Sequence, residues 1–305
     1  MTDPQQIKPL DAIEVYDRRQ KKVFVEEVYG DFFVRLLYGN KIGQFLTETF
    51  LVKKPLSRLM GIYYNSRFSS RLISPFVKKF KIAMDEFQVP PNGFRNFNEF
   101  FIREFEPGIR RFSIKRDEVC APCEARYLIY DKFSIDQTFT LKGAHLNIRK
   151  LLNNHSCADE FDGGTCFIAR LCPVDYHRFH FHDSGKIRTH FRIKGKLHSV
   201  NPLALKYDPE VFQFNEREVT IFDSQNTGAV LYIEVGAMGV GSIKQKNLPG
   251  ETVSRGDQKG WFEFGGSSVI IIFQKDRIKI DTDILEQSTG GNESFIRLGE
   301  TIAKV

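Results

Sequence analysis

Five large apolar residues in a row, Val269-Ile270-Ile271-Ile272-Phe273, follow directly on Gly265-Gly266-Ser267-Ser268. A run with no polar position has no solvated face, so it predicts a strand covered on both sides. Its entry is unusual. Two glycines place a sterically open backbone immediately before a serine hydroxyl, at the mouth of a buried strand. Such a strand needs neighbours. Short apolar runs at 125–130, 165–172, 218–222, 230–235 and 277–280 supply them, separated by Gly, Asn, Asp and Pro clusters. Asn147–Leu152 reads as one or two helical turns.

The N-terminal third has a different pattern. From Val23 to about Met60 the apolar residues recur at three-to-four spacing, as in a helix. Between Thr49 and Met84 there is no acidic residue, against eight basic ones: Lys53, Lys54, Arg58, Arg67, Arg71, Lys78, Lys79 and Lys81. Leu59, Tyr63, Phe68, Leu72 and Phe76 are interleaved with them. A basic amphipathic segment suits an anionic membrane surface, and equally a helical pair packed on its own domain with a solvated basic face. No nucleic-acid motif accompanies the charge. In Phe94–Phe101, Asn96 is placed to cap a short helix and Glu99 to reach back to the cap. Pro107-Gly108 ends that helix. The composition shifts near residue 110. The expected fold class is therefore α+β: a helical, basic layer over 1–110, then a mainly antiparallel β domain over 111–305.

Five cysteines, an odd number, and a polar start without an apolar leader fit a chain with reduced thiols in the cytosol. No window approaches the ~18 apolar residues of a membrane span.

Three of the seven histidines fall within six positions, at His177, His180 and His182. Histidine titrates near neutrality, so the cluster suits general acid–base work. A zinc site is disfavoured, because no acidic or Cys partner stands at ligand spacing and Cys120-x-x-Cys123 is half of a ribbon. Asn215-Glu216-Arg217 reads as a polar loop. The glycines of 236–241 allow close backbone approach and do not form a phosphate loop. Gly265-Gly266-Ser267-Ser268 does not match a nucleophile elbow.

Taken together, several segments resemble the phosphatidylserine decarboxylases, pyruvoyl enzymes made as self-cleaving proenzymes. They are Phe97-Asn98-Glu99-Phe100-Phe101 with Arg103 and Pro107-Gly108; Asp175-Tyr176-His177-Arg178-Phe179-His180; Val200-Asn201-Pro202; Asn215-Glu216-Arg217; Val235-Gly236-Ala237 with Val240-Gly241-Ser242; and Gly265-Gly266-Ser267-Ser268. The resemblance implies a cut at Gly266–Ser267, giving chains 1–266 and 267–305 that stay together. It implies Ser267 as nucleophile and His180 as its base. A covalent pyruvoyl group made from Ser267 would form a Schiff base with the amine of phosphatidylserine, with His177 assisting loss of CO₂ or reprotonation. An acid oriented toward His180 completes the set. Here the chain departs from the usual Pro-x-Asp-Gly or Pro-x-Asp-Ser and has Pro122-Cys123-Glu124-Ala125, so Glu124 takes that place, with Asp117 and Asp131 as alternatives. The product would be phosphatidylethanolamine. The resemblance also favours peripheral attachment to the cytoplasmic side of the cell membrane, with phosphatidylserine as partner, and leaves a higher oligomer open. The rival readings are a Ser267/His180 hydrolase with an intact serine, a related decarboxylase of soluble amino acids, and a processing-defective lipid-binding module.

Overall fold

The protein is described by a computed structural model over residues 13–26, 54–141, 144–198, 211–236, 243–264 and 267–305. The all-apolar run is an inner strand. Ser267–Phe273 (β15) lies between Gly228–Gly236 (β11) and Thr165–Leu171 (β7). These three belong to a ten-stranded sheet. Beyond β11 come Arg217–Ser224 (β10), Gly185–Ile193 (β9) and the short Thr252–Val253 (β13). On the other side of β7 come Ala125–Tyr130 (β4), Glu293–Ile296 (β17), Glu14–Asp17 (β1) and Lys22–Val25 (β2). Every neighbouring pair is antiparallel except β1 with β17.

Three smaller sheets complete the strands. Ile243–Gln245 (β12), Gln258–Phe262 (β14) and Arg178–His180 (β8) form one. Lys279–Ile280 (β16), Thr301–Lys304 (β18) and Glu118–Cys120 (β3) form another. Thr138–Leu141 (β5) pairs with Ala144–Asn147 (β6). All seven side chains of β15 are buried, as are all seven of β7, so the main core closes on both faces of the sheet. The α+β expectation holds, with three α-helices among the described residues gathered toward the N-terminus. These are Lys54–Tyr64 (α1), Ile73–Phe80 (α2) and the short Phe97–Phe101 (α3).

The helical pattern read from Val23 does not begin there. Lys22–Val25 is an edge strand with Val23, Phe24 and Val25 exposed, while residues 27–53 lie outside the described ones. The cap at Asn96 forms as expected, its side chain accepting from the Glu99 N–H at 2.8 Å. The Glu99 carboxylate, however, takes the Arg95 N–H rather than closing back on Asn96. Ile148–Leu151 (α4) is a single turn capped by Asn147. Near the C-terminus, Thr282–Thr289 (α5) lies on the sheet, with Ser288 Oγ accepting from the Ile129 N–H at 3.1 Å.

The segment after residue 266 is woven through the rest. β15 sits between two strands of the preceding chain, β17 joins β4 to β1, and β18 pairs with β3.

Candidate active site

Ser267 is the first residue of β15. Its register neighbours are Gly236 on β11 and Leu171 on β7. Side chains alternate along a strand, so Ser267 shares a face with Val269 and Ile271, and Ser268 takes the other face alongside Arg170. Ser267 is fully buried and its Oγ has no hydrogen-bond partner. A buried hydroxyl without a partner costs stability, on the order of 1–3 kcal/mol. Gly265 and Gly266 lie outside the described residues, as do 199–210 and 237–242, which hold Asn201-Pro202, Ala237 and Val240-Gly241-Ser242.

Two motifs fix the surroundings of Ser267. Asn215 donates to the Gly236 carbonyl and to the His198 carbonyl, each at 2.9 Å, and Gly236 N–H bonds Glu216 O at 2.9 Å. Arg217 locks the same turn from below through Leu151, Gln213 and Asn215 carbonyls. The loop read as an ordinary turn thus holds the residue opposite Ser267. On the approach side, Asn98 Oδ1 accepts the Phe264 N–H at 3.0 Å. The Phe264 ring lies 4.0 Å from Tyr64, 4.9 Å from Phe101 and 5.1 Å from Phe97, centroid to centroid. The Phe-Asn-Glu-Phe-Phe helix is therefore a clamp on the strand entry, three residues before Ser267.

His177 packs against the same helix, its ring 3.8 Å from that of Phe101. Its Nδ1 lies 3.1 Å from the Asp175 carbonyl, so Nδ1 carries the proton. The other nitrogen, Nε2, is buried and unpartnered. Burial is the main cause that drives this histidine down to about 3, leaving it neutral. Asp175 is held in turn by Arg126 and by the Cys172 N–H, and Arg103 donates to the Val174 and Asp175 carbonyls. Arg126 and Arg170 also meet Glu26, and Arg170 pairs with Glu293, so a buried ionic network runs from the N-terminal hairpin to β17.

His180 ends β8. Its Nδ1 is 2.9 Å from the Gly256 carbonyl and its Nε2 is 3.2 Å from Tyr176 Oη. Burial again lowers it, to about 4. Glu124 is buried, and its carboxylate is held by Arg110 at 2.6 and 3.1 Å, with the Leu298 N–H at 3.4 Å. Arg110 also reaches Glu86 at 2.8 Å. Glu124 and His180 thus lie in adjoining networks, without a hydrogen bond between them. The sequence reading missed Tyr176 and Arg110 as partners of these two. Tyr176 stands four residues before His180 in the histidine segment, which was the available signal.

His182 takes no part. Its nitrogens bond Tyr232 Oη at 2.5 Å and Thr227 Oγ1 at 2.9 Å inside the core. Cys120 and Cys123 are buried and separately bonded, to the Ser113 N–H and to Tyr127. Among the described residues no His/Cys/Asp/Glu group is placed to hold a metal ion.

The family model described as phosphatidylserine decarboxylase matches residues 97–304. The chain belongs to this family. It is 42% identical over 292 residues to the phosphatidylserine decarboxylase proenzyme of Clostridium kluyveri, covering 95% of this chain and 98% of that protein. The proenzymes of Clostridium botulinum and Ruminiclostridium cellulolyticum are each 40% identical over 290 residues, covering 98% and 97% of those proteins. The family consists of carboxy-lyases that carry a covalent pyruvoyl group and are made as proenzymes.

Proposed function

We propose that this chain is a phosphatidylserine decarboxylase that cuts itself at Gly266–Ser267 and then forms phosphatidylethanolamine and CO₂ from phosphatidylserine. The observation that carries the reading is the position of Ser267. It is a buried, unpartnered hydroxyl at the first residue of an inner strand, directly after the Gly-Gly pair. It suits an acceptor that already lies next to it, the preceding peptide carbonyl. Attack by Oγ on the Gly266 carbonyl forms an ester and breaks the C–N bond. Loss of the Ser267 Cα proton then breaks the Cβ–O bond and frees the Gly266 carboxylate. Water converts the remaining dehydroalanine into pyruvoyl and ammonia. His180 is the base in this reading.

The residues fit the pyruvoyl group. Its position lies at the start of an inner strand, and His177, packed on the same Phe101 that meets Phe264, presents a bare, buried Nε2. When formed, the group supplies an electron sink for the amine-bearing substrate. The role assigned to His177 is to take up at Nε2 the proton that the substrate ammonium sheds and to return it to the carbon that loses CO₂, its ring fixed by Phe101 and Asp175. Glu124, clamped by Arg110, supplies negative charge near Tyr176.

The docking reading of the N-terminal layer rests on its surface. Leu59, Ile62, Tyr63, Phe68 and Leu72 are exposed, and so are Arg67, Arg71, Lys78, Lys79 and Lys81. Phe68 alone is 70% exposed. Apolar side chains and cations on one layer suit the acyl boundary and headgroups of an anionic leaflet. No helix among the described residues is long and apolar enough to cross a membrane. We therefore assign the 54–81 layer to peripheral attachment, on the cytoplasmic side, and the body from residue 111 to catalysis, with β1 and β2 completing its sheet. The two chains made by the cut form the working heterodimer. The test is phosphatidylethanolamine formation from phosphatidylserine in anionic vesicles, with free serine as the rival substrate. Turnover of the lipid that is lost in Ser267→Ala is expected. Turnover of serine alone, or activity in Ser267→Ala, overturns the proposal.

A further inference from the structure

The two contacts of the His180 ring determine its chemical state. A carbonyl oxygen only accepts, so the nitrogen facing Gly256 O at 2.9 Å must carry the proton. That makes Nδ1 the donor and leaves Nε2 with its lone pair. The group facing that lone pair at 3.2 Å is the Tyr176 hydroxyl, which burial holds protonated and therefore a donor. The arrangement is built into the fold on both sides. Gly256 has a φ of +86°, in the turn closed by the Asp257 N–H on Ser254 O, and a Cβ there would come within 3.1 Å of the Phe112 ring. Only glycine adopts that backbone without strain, and the turn aims its carbonyl at His180. Tyr176 is 4% exposed, packed on Phe105 at 4.4 Å and stacked toward the His180 ring at 22°.

We infer that Tyr176 and the Gly256 carbonyl, rather than Glu124, position the base of the self-cleavage reaction: Gly256 sets the tautomer of His180 and the Tyr176 hydroxyl caps its reactive nitrogen until Ser267 presents its own proton. This inference rests on the proposed function only for the word base; the tautomer and the cap are properties of the folded chain. Glu124 acts at one remove. It is held by Arg110, and its charge faces Tyr176 together with Glu104, Arg103 and Arg178. The charged groups facing His180 itself are Arg178 and Lys246, which disfavour its protonation, and Asp257, which favours it. A donor on Nε2 stabilises the neutral ring, so removing it makes the ring easier to protonate.

The test uses the full chain with Ser267→Ala, which stays uncut. Nitrogen-15 imidazole shifts are expected to report His180 as the Nδ1–H form. Adding Tyr176→Phe is expected to raise the His180 titration midpoint by about one pH unit, the worth of one hydrogen bond. In the chain with Ser267 intact, made in a timed cell-free reaction, Tyr176→Phe should move the acid limb of self-cleavage up by the same amount. An Nε2–H ring, or a midpoint and acid limb that do not move, overturns the inference. A uniform loss of rate with the acid limb unmoved also overturns it, since that is the mark of a purely structural tyrosine. If Tyr176→Phe does not fold, the tautomer measurement on Ser267→Ala decides alone. Failure of the parent chain to cut at all counts against the proposed function and leaves the tautomer result standing.

Discussion

Glu26 offers a quantitative test of how the site is held. Its carboxylate lies 2.8 Å from Arg170 and 2.7 Å from Arg126, and accepts the Cys172 thiol at 2.7 Å. Burial pushes the carboxyl up, and the two guanidiniums outweigh that, drawing it from an ordinary 4.5 to about 2. A depressed carboxyl adds stability that is present above its unfolded value and lost as the pH falls through the folded one. At 1.36 kcal/mol per unit the difference is worth about 3 kcal/mol at neutral pH. Glu26→Gln keeps the shape and removes the charge. In the uncut Ser267→Ala background, urea unfolding at pH 7 should show the Gln variant weaker by about 3 kcal/mol. The gap should shrink to about 1 kcal/mol at pH 3, where much of the parent's advantage has been titrated away. A gap of the same size at pH 7, 4 and 3 would refute the reasoning, because it would make Glu26 a packing residue. The position matters to function because Arg126 also holds Asp175, whose carbonyl orients His177.

Three further outcomes follow from the same geometry. After the cut, residues 267–305 should co-elute with the large chain under native conditions and separate only in denaturant, because β15, β17 and β18 each pair with strands of the preceding chain; dissociation in native buffer would contradict the sheet order. Phe68→Ser with Leu59→Ser should weaken flotation on anionic liposomes roughly tenfold or more, from about 1.5–3 kcal/mol lost per large apolar side chain, with Tm nearly unchanged; unchanged flotation would remove this layer from docking. Glu124→Gln should slow self-cleavage without abolishing it, as seen by timed electrophoresis, whereas complete loss would restore Glu124 as a direct partner of His180.

The inner sheet was legible because burial on both faces leaves an apolar residue at every position. The predicted strand at 125–130 matches β4, and that at 269–273 falls inside β15. Edge strands carry no such mark. Lys22–Val25 is exposed on its edge and follows β1, whose other neighbour β17 is remote in sequence, so three-to-four spacing in the following stretch outweighed it. The cap at Asn96 and the single turn after Asn147 were legible because side chains two or three residues away decide them. Ser267, His177 and His180 stood out by residue type, in a cluster of histidines and beside two glycines. Their partners did not. Glu26, Arg126, Arg170 and Glu293 pair across a hundred residues or more, and nothing local in any of them announces the meeting. Glu124 was found by position in a motif, but its hydrogen-bond partner Arg110 lies fourteen residues upstream and is apparent only once the chain is folded.

The most direct measurement is the intact mass of the purified, active protein under denaturing conditions. Two chains are expected, 1–266 and 267–305, the smaller blocked at its N-terminus by a pyruvoyl group in place of Ser267, with Ser267→Ala giving a single chain of 305 residues. A single uncut chain that still decarboxylates phosphatidylserine would contradict the account.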